Sequence, residues 1–202
     1  NLREWVGCMA AKLEAAGVAF GQGTTNAFDE AAWLVLWRLG LPLDELDAVA
    51  ERAVSPADAA RIGELFAQRI ATRKPAAYLT GEAWLQGVPF TVDERVIVPR
   101  SLIAELLVNG SLDYWLSDAT HRVLDLCTGN GSLAVLAAMA WPDVQVDAAD
   151  LSHDALAVAR INARSERFAG LTRIARHRLV YDAVAELIPQ GIHALAIEAE
   201  TA

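Results

Sequence analysis

Cysteine is scarce in this sequence, and long apolar runs are missing. Cys8 and Cys127 are its two cysteines, too few and too far apart for a disulfide framework or a metal site, and we expect both to be small buried side chains in a reducing compartment. The longest nearly uncharged apolar stretch, residues 132–141, is far shorter than the roughly 20 residues of a membrane-spanning helix. Residues 1–16 mix charges with apolar positions, unlike a secretion signal. The sequence therefore predicts a cytoplasmic protein without a membrane span.

Positive charge is also limited, since 17 Lys and Arg stand against 26 Asp and Glu, for a net charge of −9. That balance argues against binding along a nucleic-acid backbone, which needs clustered cations, and is compatible with a basic protein partner. Hydrophobic residues make up 54 % and charged residues 21 % of the chain, which is enough apolar material for one or two globular domains. We therefore predict a folded protein that does not bind nucleic acid directly.

The first half of the sequence has helical periodicity. Apolar residues recur at helical spacing over residues 2–74, which predicts four helices. Ser55, followed by proline, suits the start of one helix, and Gly40 suits the end of another. The tryptophans in these helices are predicted to belong to the core rather than to a ligand site. A short hairpin is predicted over residues 83–92, with its turn at Gln86-Gly87.

The second half alternates strands and helices, an order that predicts an α/β fold with a parallel sheet covered by helices. After residue 162 the composition changes to an arginine-rich stretch, which is followed by a last apolar strand that could extend the sheet. The predicted elements are a strand at 122–126, a helix at 132–140, a strand at 144–148, a helix at 152–162, a helix at 176–188 and a strand at 192–199.

A glycine loop follows the first of these strands. Residues 125–131 read Asp-Leu-Cys-Thr-Gly-Asn-Gly, and glycines at the start of a helix let the backbone approach a ligand closely. Asp150 ends the next strand, about twenty residues on, where an acidic side chain can accept hydrogen bonds from ribose hydroxyls. Alternatively, Asp150 and Ser152 only begin the next helix. Because the loop lacks the third glycine of the dinucleotide fingerprint and the lysine of a P-loop, it favours S-adenosylmethionine over ATP and over NAD, the weaker alternative.

Two longer stretches resemble a known family. Residues 78–90, Tyr-Leu-Thr-Gly-Glu-Ala-Trp-Leu-Gln-Gly-Val-Pro-Phe, and residues 92–101, Val-Asp-Glu-Arg-Val-Ile-Val-Pro-Arg-Ser, resemble the PrmB/HemK family of protein-glutamine methyltransferases. The resemblance implies a helical domain that recognises a protein substrate, and a Rossmann-like class I methyltransferase domain. It implies an S-adenosylmethionine site lined by Asp125, Cys127, Thr128, Gly129, Asn130, Gly131 and Asp150. Residues 82–84 and 99–101 resemble PrmB, which acts on ribosomal protein uL3 of the large subunit, more than HemK, which acts on release factors.

The catalytic motif of that family is absent. Its members hold the substrate amide with an Asn-Pro-Pro-Tyr motif after the fourth strand, and these 202 residues contain none. An amide nitrogen is a poor nucleophile, so transfer depends on acceptors that orient it toward the methyl group. Asn162 follows Asp150 too closely and precedes no Pro-Pro, so no catalytic residue is assigned. We expect a truncated, catalytically incomplete methyltransferase.

The end of the sequence resembles a second family. Residues 165–170, 176–181 and 191–195 are similar to the C-terminal half of BolA proteins, whose fold is KH-like. The resemblance implies that His193 takes part in iron–sulfur cluster binding with a monothiol glutaredoxin, whereas a histidine in an apolar strand is more often a core residue. A non-catalytic binding module is therefore the alternative to an enzyme. The predicted domains are a helical recognition domain at 1–75, a hairpin and linker at 76–101, an incomplete cofactor-binding domain at 102–162 and a BolA-like fragment at 163–202.

Overall fold

The computed structural model describes residues 1–164 with their side chains, and residues 176–180 and 193–200 as backbone. The chain divides into two compact units, residues 1–81 and 82–202. Helices form the first unit, and helices with small sheets form the second, so the predicted mixed α/β class is confirmed. In the described part of the chain, no helix combines the length and the hydropathy that crossing a membrane requires.

Five helices form the first unit, all of whose residues are described. They are α1 (Leu2–Ala15), α2 (Ala27–Leu39), α3 (Leu46–Val49), α4 (Pro56–Thr72) and α5 (Ala76–Thr80). The four helices predicted before residue 74 are confirmed. The fifth helix, α5, begins at Ala76, beyond residue 74, where the helical periodicity of the sequence ends.

The long helices begin at side-chain caps. The Asn26 side chain accepts a hydrogen bond from the Asp29 N–H at 2.9 Å, and Ser55 Oγ accepts one from the Asp58 N–H at 3.1 Å. These bonds satisfy backbone donors that have no partner inside the helix. Gly40 ends α2 in the left-handed conformation, at φ 65°, as predicted. The local sequence therefore sets where these helices start and stop.

The core of the first unit is apolar. Trp5, Trp33 and Trp37 pack against it, so the core role predicted for the tryptophans of this unit is confirmed. Its largest fully buried side chains are Leu2, Met9, Leu13, Leu34, Leu36, Ile62 and Phe66.

A buried ion pair joins α2 to α4. Arg69 and Glu30 are 3 % and 2 % exposed, and Arg69 Nε donates to Glu30 Oε1 at 2.8 Å. Arg69 Nη2 also donates to the Ala19 carbonyl at 3.0 Å, and the Thr24 hydroxyl donates to Glu30 Oε2 at 3.1 Å. Both charges therefore have hydrogen-bond partners besides each other, which offsets part of the cost of burying them.

The second unit begins with a hairpin of β1 (Glu82–Leu85) and β2 (Val88–Thr91). Gln86 and Gly87 have φ values of 52° and 74°, as a tight two-residue turn requires. The predicted hairpin is therefore confirmed. The next described elements are α6 (Ile103–Val108), a 3-10 turn (Asp113–Trp115), β3 (Arg122–Leu126), α7 (Ser132–Ala140), β4 (Gln145–Asp150), α8 (His153–Ala163), β5 (Arg176–Val180) and β6 (His193–Glu200).

Among the described residues, a four-stranded sheet has the order β3-β4-β6-β5. Strands β3 and β4 are parallel, as the alternation of strands and helices predicts. Strand β6 pairs antiparallel with β4, and β5 pairs antiparallel with β6, so the last strand extends the sheet as expected. The core beside this sheet includes Phe90, Leu107, Val135, Leu136, Val146 and Leu156.

Two secondary-structure predictions need correction. Residues 176–180, predicted as the start of a helix, form β5. Every residue of β5 pairs with a residue of β6, and such pairing outweighs weak local propensity. Residues 181–188 lie outside the described part of the chain. Strand β4 runs to Asp150, the residue predicted to end it, and so extends past the range 144–148 given for this strand, because its ladder with β6 runs that far.

Replacing Arg69 by alanine is expected to lower the free energy of unfolding by about 3–5 kcal/mol, because the Glu30 carboxylate stays buried without its counter-charge. Arg61→Ala is the matched control on the same helix. The Arg61 side chain is 52 % exposed and lies 3.4 Å from Asp58, so its loss should cost at most about 1 kcal/mol. Urea unfolding followed by far-UV circular dichroism measures both changes. Equal losses would contradict the importance of the buried pair.

Candidate functional site

The glycine loop connects β3 to α7 at the carboxyl end of the parallel strand pair. Cys127, Gly129 and Gly131 have left-handed backbone, at φ 61°, 58° and 80°. The Thr128 N–H donates to the Ala149 carbonyl at 2.9 Å, which anchors the loop to β4. Ligands of open α/β sheets bind at this edge, so the loop lies where such a ligand would be expected.

The two glycines of the loop have different surroundings. A Cβ atom added to Gly131 would lie 3.0 Å from the Cβ of Ala159 in α8, whereas one added to Gly129 would meet no atom within 4 Å. Gly131 therefore allows close packing of the loop on a helix. Gly129 leaves its side of the loop open, which suits the approach of a ligand to the backbone.

Asp150 links the loop to the start of α8. One carboxylate oxygen accepts a hydrogen bond from the Gly129 N–H at 2.8 Å, and the other accepts one from the Ser152 N–H at 2.9 Å. Ser152 in turn caps α8 by accepting the Ala155 N–H at 3.1 Å. Asp150 thus helps to begin α8, as the alternative prediction for Asp150 and Ser152 states, and it also contacts the glycine loop. Each carboxylate oxygen can accept a further hydrogen bond.

Asp125 adds a second carboxyl group to the loop. The Thr128 hydroxyl donates to it at 2.5 Å. Burial raises the pKa of Asp125 above its ordinary value; the hydrogen bond from Thr128 opposes this shift, and the negative charge of Asp150 adds to it. The loop therefore has acidic character at the edge where the strands end.

Two buried asparagines support the loop. Asn130 is 3 % exposed, and its Oδ1 accepts the Ser132 N–H at 3.2 Å. Within the part of the chain that is described, its Nδ2 donor has no partner. Asn162 of α8 is 1 % exposed and donates to the Asn130 carbonyl at 2.8 Å. Asn162 was not among the predicted site residues, although an amide between apolar neighbours such as Leu156, Ala159 and Ala163 is a signal that could have identified it.

Both cysteines are exposed, so the expectation that they are buried is wrong. Cys8 lies off the face of α1 that buries Val6 and Met9. Cys127 belongs to the glycine loop rather than to the strand before it. Neither residue therefore serves as a small core side chain.

No metal site is evident in the described residues, where no group of three or more His, Cys, Asp or Glu side chains could hold an ion. The side chain of His193 lies outside the described part, since β6 is described as backbone. Its role in iron–sulfur binding therefore stays a prediction.

Two family models match parts of the chain. Residues 4–81 match the PrmC N-terminal domain, which corresponds to the helical first unit. Residues 154–202 match the BolA-like protein family. This second match begins within α8, before the boundary predicted at residue 163.

Curated relatives match a longer part of the chain. Over 164 residues, 80 % of this chain and 55 % of the relative, the sequence is 53 % identical to the ribosomal protein uL3 glutamine methyltransferase of Bordetella pertussis. The protein of that name from Burkholderia pseudomallei is 49 % identical over 163 residues, 80 % of this chain and 53 % of the relative. The one from Neisseria meningitidis serogroup B is 45 % identical over 164 residues, 80 % of this chain and 54 % of the relative. The resemblance to glutamine methyltransferases is confirmed. The chain spans about half the length of these relatives.

Gly131→Ala is expected to lower the free energy of unfolding by about 2–4 kcal/mol, because the added methyl group meets α8 and the backbone is left-handed. Gly129→Ala is the matched control. It has the same backbone strain in open space and should cost about 1–2 kcal/mol. Urea unfolding followed by far-UV circular dichroism measures both changes. A Gly129→Ala loss as large as that of Gly131→Ala would argue against close packing on α8.

Asp125→Asn is expected to raise the melting temperature at neutral pH. Because the pKa of Asp125 is raised in the folded state, its ionised form opposes folding, and this cost is fully present above the folded-state pKa. The gain should shrink as the pH falls and the wild-type carboxyl becomes protonated. Thermal unfolding of both proteins between about pH 4 and pH 8 measures it. If the melting temperature of Asp125→Asn instead exceeded that of the wild type by more at acid pH, the raised pKa of Asp125 would be contradicted.

Proposed function

We propose that this chain carries the substrate-recognition and cofactor-binding parts of an S-adenosylmethionine-dependent methyltransferase that modifies a glutamine side chain of ribosomal protein uL3 of the large subunit. The observation that carries the proposal is the 53 % identity, over 80 % of the chain, to a relative named for that activity. The arrangement of the glycine loop and Asp150 supports it independently. A cytoplasmic location is part of the same proposal.

In this proposal residues 102–162 are an incomplete Rossmann-like class I methyltransferase domain. The parallel pairing of β3 and β4, with α7 between them in sequence, supports this assignment. Leu124 and Leu126 of β3 are 58 % and 65 % exposed, although strands of parallel sheets normally bury both faces. That exposure, within the part of the chain that the structure describes, supports an incomplete domain.

The remaining assignments are those of the sequence analysis. Residues 1–75 would recognise the protein substrate, and the match of residues 4–81 to the PrmC N-terminal domain supports a shared role for that unit. Residues 76–101 would be the hairpin and linker. Residues 163–202 would be a KH-like BolA fragment, which the BolA-like match supports.

The residues of the loop fit a cationic ligand that contains ribose. Asp125 and Asp150 supply two carboxyl groups, Asn130 supplies a spare N–H donor, and Gly129 leaves open space. S-adenosylmethionine carries a sulfonium, an ammonium group and ribose hydroxyls. The phosphates of NAD or ATP would instead be repelled by the carboxylate of Asp125 beside the loop, whereas an acid at the position of Asp150 suits the ribose of either ligand. The charge of the site therefore favours S-adenosylmethionine.

The predicted site residues have the following roles in this proposal. Asp150 would accept hydrogen bonds from ribose hydroxyls, while Asp125 places negative charge near the cationic groups of the ligand. Cys127, Thr128 and Gly131 would line the same site. When bound, S-adenosylmethionine would supply the methyl group that is transferred.

Methyl transfer also requires acceptors that orient the substrate amide, because the lone pair of an amide nitrogen is delocalised. The family places them in its Asn-Pro-Pro-Tyr motif, which is absent from these 202 residues. We therefore expect this chain by itself to bind the cofactor and a protein partner, and to be deficient in turnover.

A non-catalytic binding module is the second candidate. The absence of the Asn-Pro-Pro-Tyr motif and the BolA-like match over residues 154–202 favour it. Such a module would bind uL3 or a release factor through the helical unit, or a monothiol glutaredoxin through the BolA-like segment, where His193 would be a cluster ligand. It would bind no S-adenosylmethionine.

Calorimetric titration of the 202-residue chain with S-adenosylmethionine is expected to give saturable one-to-one binding. Asp150→Ala should weaken it by about 1–3 kcal/mol, because acceptors for the ribose and for the Gly129 N–H are lost. Asp147→Ala is the matched control on the same strand. Its carboxylate pairs with Arg122 at 2.6 Å, so its loss should leave the affinity unchanged.

Three other results would count against the proposal. Absence of S-adenosylmethionine binding would favour the binding module. Saturable binding of NADH in its place would support the NAD alternative. Equal effects of the Asp147 and Asp150 substitutions would remove Asp150 from the site.

A further inference from the structure

Asn162 is a buried amide near the end of α8. It is 1 % exposed, and its side chain makes three hydrogen bonds. The Thr91 N–H donates to Oδ1 at 2.7 Å, and Nδ2 donates to the Thr91 carbonyl at 2.9 Å and to the Asn130 carbonyl at 2.8 Å. Both N–H bonds of the amide are therefore used, together with its oxygen.

The partners of Asn162 determine how its amide is oriented. Exchanging the nitrogen and the oxygen would place an N–H donor against the Thr91 N–H and would place an oxygen against two carbonyl oxygens. One side chain thus connects the backbone of the hairpin strand β2 with that of the glycine loop. The two segments are far apart in sequence.

Helix α8 contacts the loop at two adjacent points. Asn162 binds the carbonyl of Asn130, and Ala159 lies against Gly131, where an added Cβ would be 3.0 Å from the Ala159 Cβ. Positions three residues apart lie on the same face of a helix. The same face of α8 therefore restrains two successive loop residues by a hydrogen bond and by close packing.

Asn130 and Gly131, the two residues that α8 holds, directly follow Gly129, so their backbone conformation affects how Gly129 is placed. The N–H of Gly129 donates to Asp150, and Gly129 faces open space. A rotation of the Asn130–Gly131 peptide would change the conformation of the loop next to this open position. The amide of Asn162 opposes that rotation because it holds the Asn130 carbonyl.

We infer that Asn162 is a positioning residue for the cofactor loop, which it holds in its ligand-binding conformation and couples to the hairpin at Thr91. This inference rests on the proposed function, since it names a residue that supports the S-adenosylmethionine site without contacting the ligand. It differs from the catalytic role that an asparagine has in the Asn-Pro-Pro-Tyr motif.

The test compares Asn162→Ala, Asn162→Asp and a control, Val158→Ala, in the 202-residue chain. Val158 is fully buried on the same helix and its side chain has no polar group, so its truncation should lower stability without removing a hydrogen bond to the loop. Calorimetric titration with S-adenosylmethionine measures the affinity of each folded variant. Amide hydrogen exchange of Gly129 and Gly131 in the ligand-free proteins measures the order of the loop. Far-UV circular dichroism verifies folding.

Asn162→Ala should weaken S-adenosylmethionine binding by about tenfold and speed exchange of the loop amides by about tenfold or more. Val158→Ala should change neither quantity, although it lowers the melting temperature. Wild-type affinity and exchange in Asn162→Ala would overturn the inference. An equal loss of affinity in Val158→Ala would also overturn it, since the effect would then follow stability alone.

Asn162→Asp provides a second readout, which applies even if the alanine variant does not fold. Its carboxylate can accept the Thr91 N–H but faces two carbonyl oxygens, whereas a protonated carboxyl can donate to one of them. Its affinity relative to wild type should therefore recover by about tenfold between about pH 8 and pH 5. A ratio that does not change with pH would contradict the role of the N–H bonds.

The inference and the proposed function can fail separately. Absence of S-adenosylmethionine binding in the wild-type chain would contradict the proposed function. The exchange of Gly129 and Gly131 in ligand-free Asn162→Ala would still decide whether Asn162 orders the loop.

Discussion

The parallel pairing of β3 with β4 is the constraint on which the candidate site depends. It places Leu126 opposite Ala149, so the segments that follow the two strands meet at one edge of the sheet. The Gly129 N–H can therefore donate to Asp150, 21 residues further along the chain, at 2.8 Å. The contact depends on backbone register as well as on the two residues, because a shift of either strand would separate them.

The glycine loop combines a packed side with an open side. Gly131 lies against α8, and the buried amide of Asn162 holds the carbonyl of Asn130. Gly129 faces open space between these contacts and the carboxylate of Asp150. A site that binds a ligand through its backbone needs both properties, since a loop without support would lose conformational entropy on binding. In the proposed function, the acidic residues then select for positive charge.

The last strand shows how a segment that resembles one family can extend a sheet that resembles another. Strand β6 lies in the region that matches the BolA-like model, yet it pairs antiparallel with β4, and its His193 is opposite Asp150. Sheet hydrogen bonds join backbone groups, which are the same in every residue except proline. An apolar strand can therefore cover an open edge without having evolved beside it.

Local sequence determined much of the first unit and part of the site. The caps at Asn26 and Ser55 and the glycine that ends α2 follow from short-range chemistry that acts within a few residues. The sequence pattern also predicted the glycine loop and Asp150 as parts of one site, although their contact depends on the pairing of β3 with β4. The tertiary structure alone decided that Asn162 contacts Thr91 and Asn130, that Glu30 and Arg69 form a buried pair, and that residues 176–180 form a strand. Each of these depends on partners at least 16 residues away, since even the nearest pairing, β5 with β6, joins Val180 to Ala196 across an intervening segment. Periodicity and capping rules contain no information on such contacts.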